Sequence, residues 1–211
     1  MNIKLENISK TFKNNIIFKD VNIEFKPGKI YGIIGKNGSG KSVLLKMICG
    51  FYNPDSGRIL FDNQCINLTR NFAPSTRALI ERPNFFPSLT GLENLKLLAS
   101  IQNIVTEDKI IETLKAVNLY VEKDKKYSKY SLGMKQKLGI AQVLMENPEV
   151  EILDEPFNGI DDESIEMIRG FFVEEKKKNK TIILATHLKN DIEELCDEVY
   201  KIDKCSLIRV K

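Results

Sequence analysis

Lys29-Ile30-Tyr31-Gly32-Ile33-Ile34-Gly35-Lys36-Asn37-Gly38-Ser39-Gly40-Lys41-Ser42-Val43-Leu44-Leu45-Lys46-Met47-Ile48-Cys49-Gly50 is the stretch whose reading decides the fold. Its first six residues form a short apolar run of the kind a strand buried on both faces requires. Gly35 to Ser42 read as a turn, and Val43 to Cys49 as a helix with a glycine at its end. Strand, glycine-rich loop and helix make the first unit of an α/β sheet. The loop also fits G-x-x-x-x-G-K-[ST] without a mismatch. Glycines let successive backbone N–H groups turn toward an anion, and the helix N-terminus adds a positive dipole. Lys41 can then reach the β- and γ-phosphates of a nucleotide while the Ser42 hydroxyl ligates Mg²⁺. A glycine turn that merely caps a helix is the alternative, and the flanking strand and helix argue against it.

Outward from this unit, Ile3 and Leu5, then Val21, Ile23 and Phe25, alternate as half-buried strands do. From about Arg82 to Asn147 the apolar residues recur at helical spacing: Leu92, Leu95, Leu97, Leu98, then Ile110, Ile111, Leu114 and Val117. Thr106 before acidic residues reads as a helix start, and Lys123-Asp124-Lys125-Lys126 as a solvated connector. From Val150 the alternation returns, with strands at Val150–Leu153, Thr181–Ala185 and Glu198–Ile202 and helices at about Asp162–Lys178 and Lys189–Cys196. Strands alternating with helices predict a mainly parallel sheet covered on both faces, with a helical block inserted.

Bulk properties exclude several other classes. Of 211 residues, 42% are hydrophobic and 29% charged, the profile of a globular chain. A formal net charge of +3 is too small to argue for nucleic acid. Cys49, Cys65, Cys196 and Cys205 include no C-x-x-C pair, so a zinc site or disulfide framework is not expected. His187 is the single histidine, which rules out a multi-histidine metal site. No run is long and apolar enough to span a membrane, and Met1 to Glu6 does not read as a signal peptide.

Glu151-Ile152-Leu153-Asp154-Glu155-Pro156 supplies what a phosphate loop lacks. Asp154 ends an apolar strand, where it can hold Mg²⁺, and Glu155 follows outside the strand, where it can accept a proton from an attacking water. Between the two motifs lies Tyr130-Ser131-Leu132-Gly133-Met134-Lys135-Gln136. Alone, this heptapeptide reads equally well as a serine capping an amphipathic helix. In order with the rest, 90 residues beyond Lys41 and 23 before Asp154, it resembles the signature of the nucleotide-binding cassette of ABC transporters, and the resemblance runs across essentially the whole chain.

That resemblance implies an α/β, P-loop NTPase fold. It comprises a mainly parallel sheet, an N-terminal antiparallel β subdomain, an α/β core at about 1–81 and 148–211, and an inserted helical subdomain at about 82–147. The length leaves little room for a sizeable C-terminal regulatory domain. ATP and Mg²⁺ are the implied cofactors, held by Gly35, Lys36, Asn37, Gly38, Ser39, Gly40, Lys41, Ser42 and Val43, with Lys41, Glu155 and His187 as the catalytic set. Ser42, Asp154 and Glu81 are the implied metal ligands. Ser131 and Gly133 match the residues offered to the ATP of a second copy, and Asp161, in Asn158-Gly159-Ile160-Asp161, matches the loop facing that copy. Phe12 matches the aromatic on which adenine stacks, its alternative being an ordinary strand-end residue. His187 after Thr186 matches the γ-phosphate switch.

Leu132, Met134 and Tyr130 depart from the commonest signature wording, and Glu81 replaces the family's usual glutamine. A glutamate there adds negative charge beside the triphosphate, which is expected to tighten metal binding or raise its own pKa. Leu79 to Thr90 and the signature are together similar to the bacitracin- and lantibiotic-resistance branch. The implied function is ATP hydrolysis powering separate membrane subunits, for export of or immunity to a peptide antibiotic. Permease subunits would dock near Glu81–Leu92, a second nucleotide-binding subunit would sandwich ATP, and no nucleic acid is involved. The expected location is cytoplasmic, peripheral on the inner face of the membrane. The alternatives are a soluble ABC ATPase acting on ribosome or DNA, and the cassette of a small-solute importer. Phe85 and Phe86 either line a partner's groove or pack inward. Lys176-Lys177-Lys178-Asn179-Lys180 reads as a solvated helix end rather than a lipid patch.

Overall fold

In the computed structural model, residues 1–66, 72–187 and 191–211 are described. The elements run β1 (Ile3–Phe12), β2 (Asn15–Phe25), β3 (Lys29–Ile34), α1 (Lys41–Cys49), β4 (Ser56–Phe61), β5 (Gln64–Cys65) and β6 (Thr76–Leu79). They continue with α2 (Gly91–Gln102), α3 (Glu107–Ala116), α4 (Leu132–Leu144), β7 (Val150–Asp154), α5 (Asp162–Lys177), β8 (Thr181–Ala185), β9 (Glu198–Asp203) and β10 (Ser206–Arg209). One sheet is antiparallel, in the order β2-β1-β4-β5; the other is six-stranded, β10-β9-β3-β8-β7-β6, and parallel apart from its β10 edge.

Alternation along the central strands builds two cores. Ile182 and Leu184 of β8, Leu153 of β7 and Ile30 of β3 pack with the helices α2 to α5. Their neighbours Ile183, Ala185, Val150, Ile152, Tyr31 and Ile33 pack instead with α1 and the antiparallel sheet. The central strands are therefore apolar on both faces, as their unbroken runs require.

Short polar residues set the helix starts. Thr90 opens α2 with a capping box, its Oγ1 accepting from Glu93 N at 3.1 Å while Glu93 Oε2 accepts from Thr90 N at 2.7 Å. Thr106, Ser131 and Asp161 cap α3, α4 and α5 in the same sense. Gly50 closes α1 in the left-handed region, φ 86°.

Two features depart from the sequence expectations. The short strands β4, β5 and β10 lie at or near sheet edges with one face in solvent, so their apolar alternation is too brief to read. Lys189 and Asn190, the expected start of the last helix, lie outside the described residues. The rest of that helix is a single π turn, Asp191–Leu195, whose five-residue step buries Asp191, Leu195 and Cys196 and leaves Glu193 and Glu194 outward.

Candidate functional site

Strand register assembles the site. Ile33 of β3 and Asp154 of β7 both pair with Ala185 of β8, and Leu79 of β6 pairs with Leu153. The segments leaving these four parallel strands, at Gly35, Glu81, Glu155 and Thr186, therefore emerge side by side at the carboxyl ends, where open α/β sheets bind ligands. A cleft of about 710 Å³ opens there. Asn37, Gly38, Gly40, Lys41, Ser42 and Val43 line it together with Glu81, Asp154 and Glu155. Ile17, Arg82, Leu132, Gln136 and Asn158 complete the wall and were not among the expected nucleotide contacts.

The glycine loop is shaped for an anion. Gly38 and Gly40 have φ of 77° and 108°, and a methyl at Gly40 would sit 2.7 Å from Ile17 Cγ2, whereas the space at Gly38 is open. No acidic residue occupies the first turn of α1, leaving its dipole uncompensated. Ser39 Oγ is buried with no hydrogen-bond partner among the described residues. Lys41 Nζ donates to Gly35 O at 3.0 Å and stands 4.0 Å from Glu155 Oε1. An unpaired hydroxyl, a buried ammonium and open space over a glycine turn fit a phosphate chain.

Ser42 Oγ donates to Asp154 Oδ2 at 2.5 Å. These two hard oxygens, one from α1 and one from the end of β7, fit Mg²⁺, which takes few protein ligands beside phosphates and water.

Glu155 is held in the left-handed region, φ 49°, with its N–H bonded to Ala185 O at 2.8 Å and its carbonyl accepting from Gln136 Nε2 at 3.2 Å. Its Oε2 meets His187 Nδ1 at 2.7 Å. The carboxylate and imidazole thus form a dyad in which Glu155 lines the cleft and the exposed His187 ring stands outside its wall, an arrangement able to orient a water and hold its proton. Gln136 ends the signature heptapeptide and Asn158 opens the Asn158-Gly159-Ile160-Asp161 loop, yet neither was expected to contact its own chain's nucleotide.

Glu81 lines the cleft, and the negative charge it adds there has a partner on the chain itself. Its carboxylate pairs with Lys46, one helical turn beyond Ser42 on α1. That contact holds the Lys46 ammonium above the ordinary lysine pKa, against a smaller effect of burial. Glu81 also adopts a left-handed backbone, φ 69°.

Other expected residues stand elsewhere. Phe12 does not line the cleft; its ring meets Tyr52 edge-on at 5.5 Å and lies under Lys10 Nζ at 5.1 Å. Gly35 lends its carbonyl to Lys41, and Lys36 and Ser39 line a second cavity of about 480 Å³ that shares Asn37 and Gly38 with the first. Ser131 accepts from Met134 N at 3.2 Å as the cap of α4, and Gly133 is pressed against the Gly159 backbone. Asp161 caps α5, and hydrogen bonds from Ser164, backbone first, hold its carboxyl down to about 2. None of these three signature and D-loop residues lines the chain's own cleft.

Two alternatives left open by the residues are now decided. Phe85 packs inward against Tyr127, ring centres 5.3 Å apart, whereas Phe86 points out with its N–H and carbonyl both clamped by the Asn94 amide. In the lysine run every cation has a carboxylate: Lys176 with Asp197, Lys177 with Glu174, Lys178 with Glu175, and Lys180 between Glu151 and Glu175.

The family described as ABC transporter matches residues 18–158. The chain belongs to the ABC transporter family. It is similar to the bacitracin transport ATP-binding protein BcrA of Enterococcus faecalis, 37% identical over 93% of this chain and 65% of that one. It is also similar to the lantibiotic transport ATP-binding protein SrtF of Streptococcus pyogenes, 33% identical over 92% of this chain and 84% of that one. Among solved structures, the dimeric post-hydrolysis cassette MJ0796 bound to ADP and Pi superposes with a TM-score of 0.88 at 26% identity, covering 99% of this chain and 98% of that one. The protein is an ATP-binding, ATP-hydrolysing ABC cassette with the P-loop NTPase fold. Among the described residues no helix is long and apolar enough to cross a membrane.

Proposed function

We propose that this cassette powers, through separate membrane subunits, the export of or immunity to a peptide antibiotic, and that hydrolysis is run by the Glu155–His187 dyad. The 2.7 Å contact between Glu155 Oε2 and His187 Nδ1, facing Lys41 across the cleft, carries the catalytic part of this reading. The resemblance to bacitracin and lantibiotic transport proteins supports the substrate class.

In this mechanism Lys41 and the loop N–H groups hold the β- and γ-phosphates, and Ser42 with Asp154 supplies oxygens to Mg²⁺. Mg²⁺ held there would supply neutralisation of phosphate charge. Glu155 accepts the proton of the attacking water, and His187 orients that carboxylate and the γ-phosphate. Ser131 and Gly133, standing outside their own cleft, are offered to ATP bound by a second cassette, so two nucleotides act as adhesive across a two-fold interface. Loss of the γ-phosphate contacts lets the pair open and moves permease subunits docked near Glu81–Leu92, at the cytoplasmic face of the membrane.

Glu155→Gln and His187→Ala are each expected to keep ATP binding and lower kcat by about two orders of magnitude or more. Near-normal turnover in either variant would end this catalytic assignment. For the substrate class, disrupting the gene should raise the host's sensitivity to bacitracin-like or lantibiotic peptides. Unchanged sensitivity across both groups would reject it.

A further inference from the structure

Arg169 sits on α5, outside the cleft, and belongs to no motif. Its Nη1 meets Glu166 and Glu194, both exposed, at 2.7 and 2.9 Å. Its Nη2 meets Asp191 Oδ1 at 2.6 Å, and Asp191 is fully buried. The other Asp191 oxygen accepts from Thr186 Oγ1 at 2.9 Å, and Thr186, also buried, immediately precedes His187. On its other side the guanidinium lies 5.8 Å from the ring centre of Phe157, a buried residue two positions beyond Glu155. One side chain thus touches the supports of both members of the dyad.

A purely stabilising role accounts poorly for this arrangement. Buried ion pairs seldom beat well-packed apolar residues, because desolvation offsets the attraction. Here Arg169 Nε is itself buried with no hydrogen-bond partner among the described residues. What a fixed guanidinium provides is direction: its planar fork sets the Asp191 carboxylate, which sets the end of β8, while its face sets the segment after β7. We propose that Arg169 is a positioning residue for hydrolysis. Through Asp191 and Thr186 it fixes where His187 stands, and through Phe157 where Glu155 stands. This rests on the dyad reading above.

The test is a set of double-mutant cycles in the full chain. Arg169→Met, Arg169→Lys and Thr186→Val are measured alone and in a His187→Ala background, for kcat, KM and ATP affinity. Arg169→Met and Thr186→Val should each lower kcat about tenfold or more, since ångström-scale misplacement of catalytic groups has effects of that size, and leave ATP affinity within about twofold. Arg169→Lys should recover part of the loss. In the His187→Ala background Thr186→Val should lower kcat by less than about twofold, because a residue acting only through His187 has nothing left to position, and the Arg169 substitutions should lose the part of their effect that runs through His187 and keep only the smaller part that runs through Phe157. Effects that simply multiply, or that appear in ATP affinity rather than kcat, would overturn the proposal. Thr186→Val, close in shape to the original, carries the test should Arg169→Met fail to fold. Wild-type turnover in His187→Ala alone would overturn the dyad reading and this one with it, whereas a normal His187 loss with multiplicative Arg169 effects overturns this one only.

Discussion

Adding one methyl group at Gly133 probes the joint between the signature helix and the loop that follows Glu155. A Cβ there would lie 2.3 Å from Gly159 O, 3.3 Å from Gly159 C and 3.5 Å from Ile160 Cα, all backbone atoms. Side-chain rotation cannot relieve that overlap. Since ordinary contact begins near 3.4 Å, the start of α4 and the Gly159 loop must separate by about 1 Å, a displacement that costs about 100-fold in rate when it reaches catalytic groups. Gln136, on the same helix, donates to Glu155 O at 3.2 Å, so the shift is transmitted to the proposed base. Overpacking of this kind costs about 1–3 kcal/mol of stability. For a chain of this size each kcal/mol lowers Tm by about 2–4 °C.

The assay is steady-state ATP hydrolysis with thermal melting and binding of a fluorescent ATP analogue to Gly133→Ala. The expected outcome is a large loss of kcat, a lower Tm and unchanged nucleotide affinity, because Gly133 does not line its own chain's cleft. Gly170→Ala is the control: it lies within α5, where an added Cβ meets nothing within 4 Å, and should keep turnover and raise Tm. Full turnover and an unchanged Tm in Gly133→Ala would refute the reasoning.

Burial pushes the carboxyl of Glu151, on β7, up from 4.5 to about 7, against the opposing pull of Lys180. A raised folded-state pKa means stability is fully present below pH 4.5 and declines as pH rises through about 7. Melting of Glu151→Gln across that window should show a flatter profile than the parent, and an equal slope would contradict it. A second coupling joins Gly91 and Tyr130, since a Cβ at Gly91 would stand 2.1 Å from the tyrosine hydroxyl. Gly91→Ala should destabilise by about 1–3 kcal/mol, and less in a Tyr130→Phe background; additive denaturation midpoints would show that the two do not touch.

What was legible in the sequence is what is locally encoded. The phosphate loop needs its glycines, lysine and serine within eight consecutive residues, and the strand before it and helix after it are set by their own apolar runs. Asp154 and Glu155 were legible because a carboxylate pair at the end of an apolar strand has few other uses. The illegible parts are contacts between distant positions. Lys46 faces Glu81 across 35 residues, Gln136 reaches the Glu155 carbonyl across 19, and Arg169 pairs with Asp191 across 22. Lys46, Arg169 and Asp191 read locally as unremarkable polar residues of a helix or turn, and the signature wording around Gln136 gives no sign of its reach to Glu155. The placement of Phe12 shows the converse, because a motif position does not guarantee that its side chain lines the cleft when a neighbouring tyrosine and lysine take up its ring.

The departures from the common family wording come with partners. Glu81 places a carboxylate at a cleft that must also accept phosphates, and Lys46 neutralises it from the first helix. Tyr130, which departs from the common signature wording, is a large residue that needs room. Its hydroxyl donates to Glu122 O at 2.9 Å in space that exists only because position 91 lacks a side chain. Leu132, another departure, packs over Gly159, whose own Cβ would lie 3.0 Å from it and whose φ of 75° already disfavours a larger residue. Three of the four departures, at Glu81, Tyr130 and Leu132, are thus answered at a contact elsewhere in the chain. The phosphate loop itself is unaltered, and the departures lie around it, at the loop after β6 and at the start of α4.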